Sequence, residues 1–218
     1  MTNNKKRLPQ EGIDAVLNLL EDMYPEARCA LNYRTPFQLL VATMLSAQST
    51  DKTVNRVTET LFVKYPGVEE FLQLEQKELE EEIRQIGLYR NKAKNILAMC
   101  RELVTRFGGE VPNNREDLIS LPGVGGKTAN VVLSNAFNIP AIAVDTHVFR
   151  ISNRIGLTDS KNVAQTEEQL TSSIPMGLWS RAHHWLIWHG RTICNAKKPK
   201  CDLCALSQYC YYFNQKLS

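Results

Sequence analysis

The sequence predicts an all-α protein. Helix-capping and helix-stopping residues recur along its length, and the connections between the segments they bound are short. No stretch of four or more residues alternates cleanly between apolar and polar, as a half-buried strand would. The one apolar run of strand length, IPAIAV (139–144), would have no partner strand.

In chain order, Thr35-Pro36-Phe37-Gln38 supplies an N-cap, a proline at the first helical position and a capping-box glutamine, leading into FQLLVATMLSA. Asp51 is expected to cap TVNRVTETLFVKY, which Pro66-Gly67 ends. KELEEEIRQI is expected to stop at Gly87, and KAKNILAMCRELVTRF at Gly108-Gly109. Next come EDLISL, KTANVVLSNAF and DTHVFRISNRI, the last stopped by Gly156. VAQTEEQLTSSI, before Pro175, and LWSRAHHWLIWHG complete a set of about ten helices. No fixed-period repeat or low-complexity linker interrupts them, so composition marks no domain boundary.

A chain of 218 residues, 43% apolar and 22% charged, is long enough to bury a sizeable core and ordinary for a soluble globular protein. Its apolar runs fall short of a membrane span, and the basic N-terminus MTNNKKRLPQEG has no apolar stretch behind it. Neither membrane insertion nor a secretory signal is expected, and the expected location is the cytoplasm. The net charge of +3 is unevenly spread. Residues 69–82 hold seven acids against one lysine, whereas LYRNKAKN and CNAKKPKC are basic. Such segregation suits one face for a polyanion and one for solvent; two plainly solvated faces fit equally well.

Of six cysteines, Cys194, Cys201, Cys204 and Cys210 form C-x6-C-x2-C-x5-C. In a cytoplasmic chain such spacing points to metal and away from disulfides. Structural zinc usually takes two C-x2-C knuckles, and only one pair here has that spacing, so a multi-iron cluster with ligands at separated corners is favoured over zinc. A cross-link for a small C-terminal lobe is a simpler role for it than redox chemistry. Cys29 and Cys100 stand alone in helical patterns and read as core or inert thiols.

LPGVGGKTA (121–129) ends like a phosphate-binding P-loop, but Leu121 stands where its first glycine belongs and a helix precedes it in place of a strand. What remains is helix, glycine turn, helix, with backbone N–H groups at Gly123, Val124, Gly125 and Gly126 suited to an anion. Without a nucleotide-binding sheet, a nucleic-acid phosphate is the natural ligand. Lys127 then lies in the first turn of a helix, where a cation opposes the macrodipole. It is either a solvated lysine touching phosphate or an amine whose pKa is lowered by the helix end and by burial, hence nucleophilic. The turn by itself favours the first. Asp145, between an apolar run and a helix, reads as an N-cap and also as a cleft carboxylate able to assist proton transfer.

Taken together, LLVATMLSAQSTD, IGLYRNKA, LPGVGGKTANVVL, AVDTHVFR, HHWLIWHGR and the cysteine spacing, in that order, resemble the endonuclease III family of helix-hairpin-helix DNA glycosylases. The resemblance runs from about residue 28 to Cys210 and is specific through the number and order of its motifs. It implies a six-helix barrel at 29–139 and a discontinuous domain, 1–28 with 140–218, carrying a 4Fe–4S cluster on the four cysteines. Double-stranded DNA would bind between the two. It also implies a bifunctional, monomeric, nucleoid-associated enzyme that removes oxidised pyrimidines and cleaves the abasic strand by β-elimination through a Schiff base on Lys127, with Asp145 as the catalytic carboxylate. Reaching C1′ requires a flipped nucleotide. By the same resemblance Gln48 and Leu88 fill the vacated stack, and Lys197, Lys198 and Lys200 meet phosphates. His183, His184 and His189, on a helix with Trp185 and Trp188, are expected to pack and hydrogen-bond; His147 stands two residues after Asp145. One departure is Gly126, where many members carry arginine.

Related readings are an adenine glycosylase, which lacks the lysine and carries a further C-terminal domain, and a mismatch glycosylase of the same superfamily. A DNA-binding iron–sulfur protein without catalysis is the reading from another class.

Overall fold

The computed structural model describes residues 7–217; the first six residues of the basic N-terminal stretch lie outside the described residues, as does Ser218. Among the described residues there are twelve α-helices and no strand. They are α1 (Gln10–Met23), α2 (Pro36–Ser46), α3 (Asp51–Lys64), α4 (Val68–Leu72), α5 (Gln76–Glu82), α6 (Tyr89–Phe107), α7 (Arg115–Ser120), α8 (Gly126–Ala136), α9 (Thr146–Ile155), α10 (Val163–Ser173), α11 (Trp179–Thr192) and α12 (Tyr211–Leu217). The chain divides into two compact units, Cys29–Ile139, and Met1–Arg28 with Pro140–Ser218.

The Cys29–Ile139 unit is built around α2, whose residues from Phe37 to Leu45 are all buried. Such a helix is apolar on every side because α3, α6 and α8 pack around it. Thr35 caps it, its hydroxyl accepting from the Gln38 amide. The Gln38 side chain reaches past the cap to accept from the Arg34 N–H at 2.9 Å. At α3 the expected cap moves by one residue. Thr50, not Asp51, accepts from Thr53 N–H, and Asp51 opens the helix, where a carboxylate favours the positive helix end.

The other unit closes the apolar face of α1, formed by Ile13, Val16, Leu17 and Leu20, over α11, with Trp185 almost fully buried in the same core. α9 adds Val148, Ile151 and Ile155 from its inner face. Residues 141–144 are buried without forming a strand and lead directly to Asp145.

Candidate active site and cysteine loop

The glycine turn joins α7 to α8. Leu121 and Val124 are buried and anchor it, and the Val124 N–H donates to the Leu121 carbonyl at 3.1 Å. Gly123 has φ of 76°, and a Cβ there would lie 2.9 Å from both Asn95 Cβ and Met44 Cε. Only glycine fits this position, for backbone and for space. Gly125 is the N-cap of α8 and has no side chain to satisfy the N–H groups of the first turn. A helix start left uncapped in this way is ready for an anion.

Lys127 projects from that turn and is exposed, with no hydrogen bond or ion pair among the described residues. Beside it, Gly126 faces Arg115 from α7. A Cβ at residue 126 would meet Arg115 Nη2 at 3.0 Å, and Arg115 Nε donates to Asn130 Oδ1 at 3.2 Å. A guanidinium therefore lies over the first turn of α8.

In the same unit, two exposed side chains stand on left-handed backbone. Gln48 has φ of 56° just after α2, and Leu88, 57% exposed, has φ of 59° as the N-cap of α6. Non-glycine residues in this region are strained and concentrate at functional sites. The Gly87 N–H donates to Ser49 Oγ at 3.1 Å, joining the two loops.

Asp145 lies in the other unit, half-buried, as the N-cap of α9. One carboxylate oxygen, Oδ1, accepts from the Val148 N–H at 2.8 Å. No hydrogen bond to Oδ2 is present among the described residues. His147, two residues on, is held neutral-leaning: burial pushes its pKa down, more than the Asp145 charge raises it.

Cys194, Cys201, Cys204 and Cys210 line one cavity with Ile155 and His189. No three His, Cys, Asp or Glu side chains among the described residues are close enough to hold a single metal ion. The four thiols are gathered at this one cavity, an arrangement consistent with ligands to a metal centre. Burial pushes the thiols of Cys204 and Cys210 up, so a metal centre bound there would have to offset that cost in deprotonating them. Arg154 donates to Cys194 Sγ at 3.5 Å and to the carbonyls of Asn195 and Ala196. Lys197, Lys198 and Lys200 stand exposed on the same loop.

Residues 41–176 match the family model of the HhH-GPD superfamily base excision DNA repair protein. The chain is 50% identical over 199 residues to endonuclease III of Bacillus subtilis, covering 91% of each, and 44% identical over 210 residues to that of Escherichia coli, covering 96% of this chain and 97% of the other. The chain belongs to the endonuclease III family. A solved structure of a trapped endonuclease III–DNA covalent intermediate superposes with a TM-score of 0.93 at 46% identity, covering 97% of this chain and all of that one. A thermostable thymine-DNA glycosylase follows at 27% identity and a TM-score of 0.85, covering 94% of this chain and 98% of that one.

In this family member, several polar residues of the structure were not singled out from the sequence. Lys92, Arg115, Arg150 and Arg154 make buried or half-buried contacts to backbone and side chains. Tyr24 Oη bonds His189 Nδ1 at 3.0 Å, and His189 Nε2 lies 3.6 Å from Cys204 Sγ. Each of these bonds joins residues 15 or more positions apart, so no local pattern announces it.

Proposed function

We propose that Lys127 and Asp145 carry the reaction of this member of the endonuclease III family, a base-excision-repair DNA glycosylase and abasic-site lyase, and that its substrates are oxidised pyrimidines in double-stranded DNA. The observation that carries the proposal is the exposed Lys127 amine on an uncapped, glycine-bordered helix start. Such a start binds the DNA backbone and leaves the amine beside the bound phosphate.

The Lys127 amine attacks C1′ of a flipped nucleotide; the N-glycosidic bond breaks and the base departs with the bonding pair and a proton. That proton is the one the attacking amine gives up; Asp145 assists its transfer and offsets positive charge developing on the sugar. Ring opening gives a Schiff base between Lys127 and C1′. Loss of a C2′ proton then expels the 3′ phosphate, and water frees the lysine. Gln48 and Leu88 fill the space left by the flipped nucleotide, and their exposed, left-handed placement supports this. Gly123, Gly125 and Gly126 offer the backbone grip, while Val124, expected to join them, gives its N–H to the Leu121 carbonyl and anchors the turn; Lys197, Lys198 and Lys200 add charge on the cysteine loop. Cys194, Cys201, Cys204 and Cys210 would hold a 4Fe–4S cluster that cross-links this loop. The enzyme acts as a monomer on nucleoid DNA in the cytoplasm; no helix among the described residues is long and apolar enough to cross a membrane.

The test is reductive trapping. Borohydride added during incubation with thymine-glycol or abasic duplex yields a covalent protein–DNA adduct that Lys127→Gln abolishes. Absence of an adduct, or its persistence in the variant, overturns the mechanism. As-purified protein carries about four irons per chain with broad visible absorption; one zinc and no colour would remove the cluster.

A further inference from the structure

Lys92 is a lysine with only 6% of its surface exposed, on the first turns of α6. No carboxylate pairs with it among the described residues. Its ammonium instead donates to two carbonyls at the C-terminal end of α2, Leu45 at 2.9 Å and Ala47. Those carbonyls belong to the set that a helix end leaves without partners, and a cation there also favours the negative end of the dipole. Burial pushes the pKa of Lys92 down, so the site keeps an ammonium at a desolvation cost. Packing alone would be served by an apolar side chain.

The position of these contacts gives the lysine a purpose. Ala47 immediately precedes Gln48, and Lys92 follows Leu88 by one helical turn, its N–H donating to the Leu88 carbonyl at 3.1 Å. Lys92 is therefore fixed to one left-handed residue through its backbone and, through its ammonium, to the carbonyl of the residue just before the other. The Gly87 N–H bond to Ser49 Oγ closes the junction from the opposite direction. A Cβ at Gly87 would lie 3.1 Å from the Gln48 carbonyl, so the two loops approach as closely as backbones allow. Left-handed non-glycine residues persist only where their surroundings over-determine them.

We propose that Lys92 is a positioning residue that locks the Gln48 turn and the Leu88 cap into one rigid wedge, so that both side chains enter the DNA stack together. This rests on the reading that Gln48 and Leu88 fill the stack.

The test measures single-turnover base release from thymine-glycol duplex, with 2-aminopurine beside the lesion to report unstacking, and elimination on a single-stranded abasic oligonucleotide, where no stack needs filling. Lys92→Met lowers duplex base release and the 2-aminopurine signal about tenfold, while single-strand elimination stays within about twofold. Residues acting as one unit are non-additive, so adding Lys92→Met to Gln48→Ala/Leu88→Ala costs less than about a further twofold. Unchanged base release in Lys92→Met, or its full loss added to that of the double variant, overturns the inference. Equal losses on both substrates overturn it as well. If Gln48→Ala/Leu88→Ala releases base at the normal rate, the stack-filling reading itself fails and the wedge with it. Should Lys92→Met not fold, Ser49→Ala loosens the same junction without touching a buried charge. About a threefold loss confined to the duplex substrate supports the inference, and no loss overturns it.

Discussion

Arg115 Nη2 stands 3.0 Å from the point a Cβ on Gly126 would occupy, so the guanidinium takes the space that a side chain at residue 126 would need. Its obstacle is the far end of a flexible side chain, and Gly126 does not have a left-handed backbone. Gly126→Ala is therefore expected to change stability by less than about 1 kcal/mol, helix propensity gained against a displaced arginine. Gly123→Ala, with a left-handed backbone and two side chains at 2.9 Å, is expected to cost about 3 kcal/mol. Urea unfolding of the two variants checks the contrast.

Cap and catalyst can be separated at Asp145. Asparagine keeps an oxygen for the Val148 N–H, so Asp145→Asn should unfold within about 0.5 kcal/mol of the parent, whereas Asp145→Ala loses about 1 kcal/mol. Both variants should lose base release by a factor of about 100 or more if the charge is what matters. A fully active Asp145→Asn would remove Asp145 from the chemistry.

The helices were legible where local chemistry decides them. Thr35-Pro36 and the glycine turn needed no tertiary knowledge, because caps and left-handed glycines act within a few residues. The Asp51 cap was misplaced because Thr50 and Asp51 are both good caps, and only backbone geometry chooses between them. Lys127, Asp145 and the four cysteines are candidates that motif order and the family resemblance supply. The grip of Lys92 on α2 could not be, since it joins residues 45 and 47 positions apart in the chain. Nothing local distinguishes a lysine that bends inward from one that points to water.

Stability of the unit holding α11 should fall with acid. Burial first, and the Arg191 charge second, push His184 down from its usual 6.5 to about 4. The unfolded chain takes up that proton near pH 6.5, but the folded chain does so only near pH 4. The contribution is complete above pH 6.5 and is lost between 6.5 and about 4, amounting to roughly 3 kcal/mol. His184→Gln should flatten this part of the profile, read as the difference between the two urea-stability curves. Parallel curves would show that His184 is not the group responsible.

DNA affinity should report the cysteine-loop lysines through salt. Each of Lys197→Ala, Lys198→Ala and Lys200→Ala that removes a phosphate contact lowers the slope of log K against log salt by about 0.9, with little change in lesion preference. Fluorescence anisotropy at several salt concentrations measures it. An unaltered slope in the triple variant would place those lysines away from DNA.

The N-terminal helix finds its cover on α11, more than 150 residues later, and the Leu8 N–H reaches the Gly156 carbonyl. During synthesis the apolar face of Ile13, Val16, Leu17 and Leu20 must therefore wait, uncovered, while the intervening unit emerges and folds. Of the described helices, α1 is made earliest and is among the last to be buried. Until α11 emerges, that face is a sticky surface on the nascent chain, with a defined place for a chaperone to hold it.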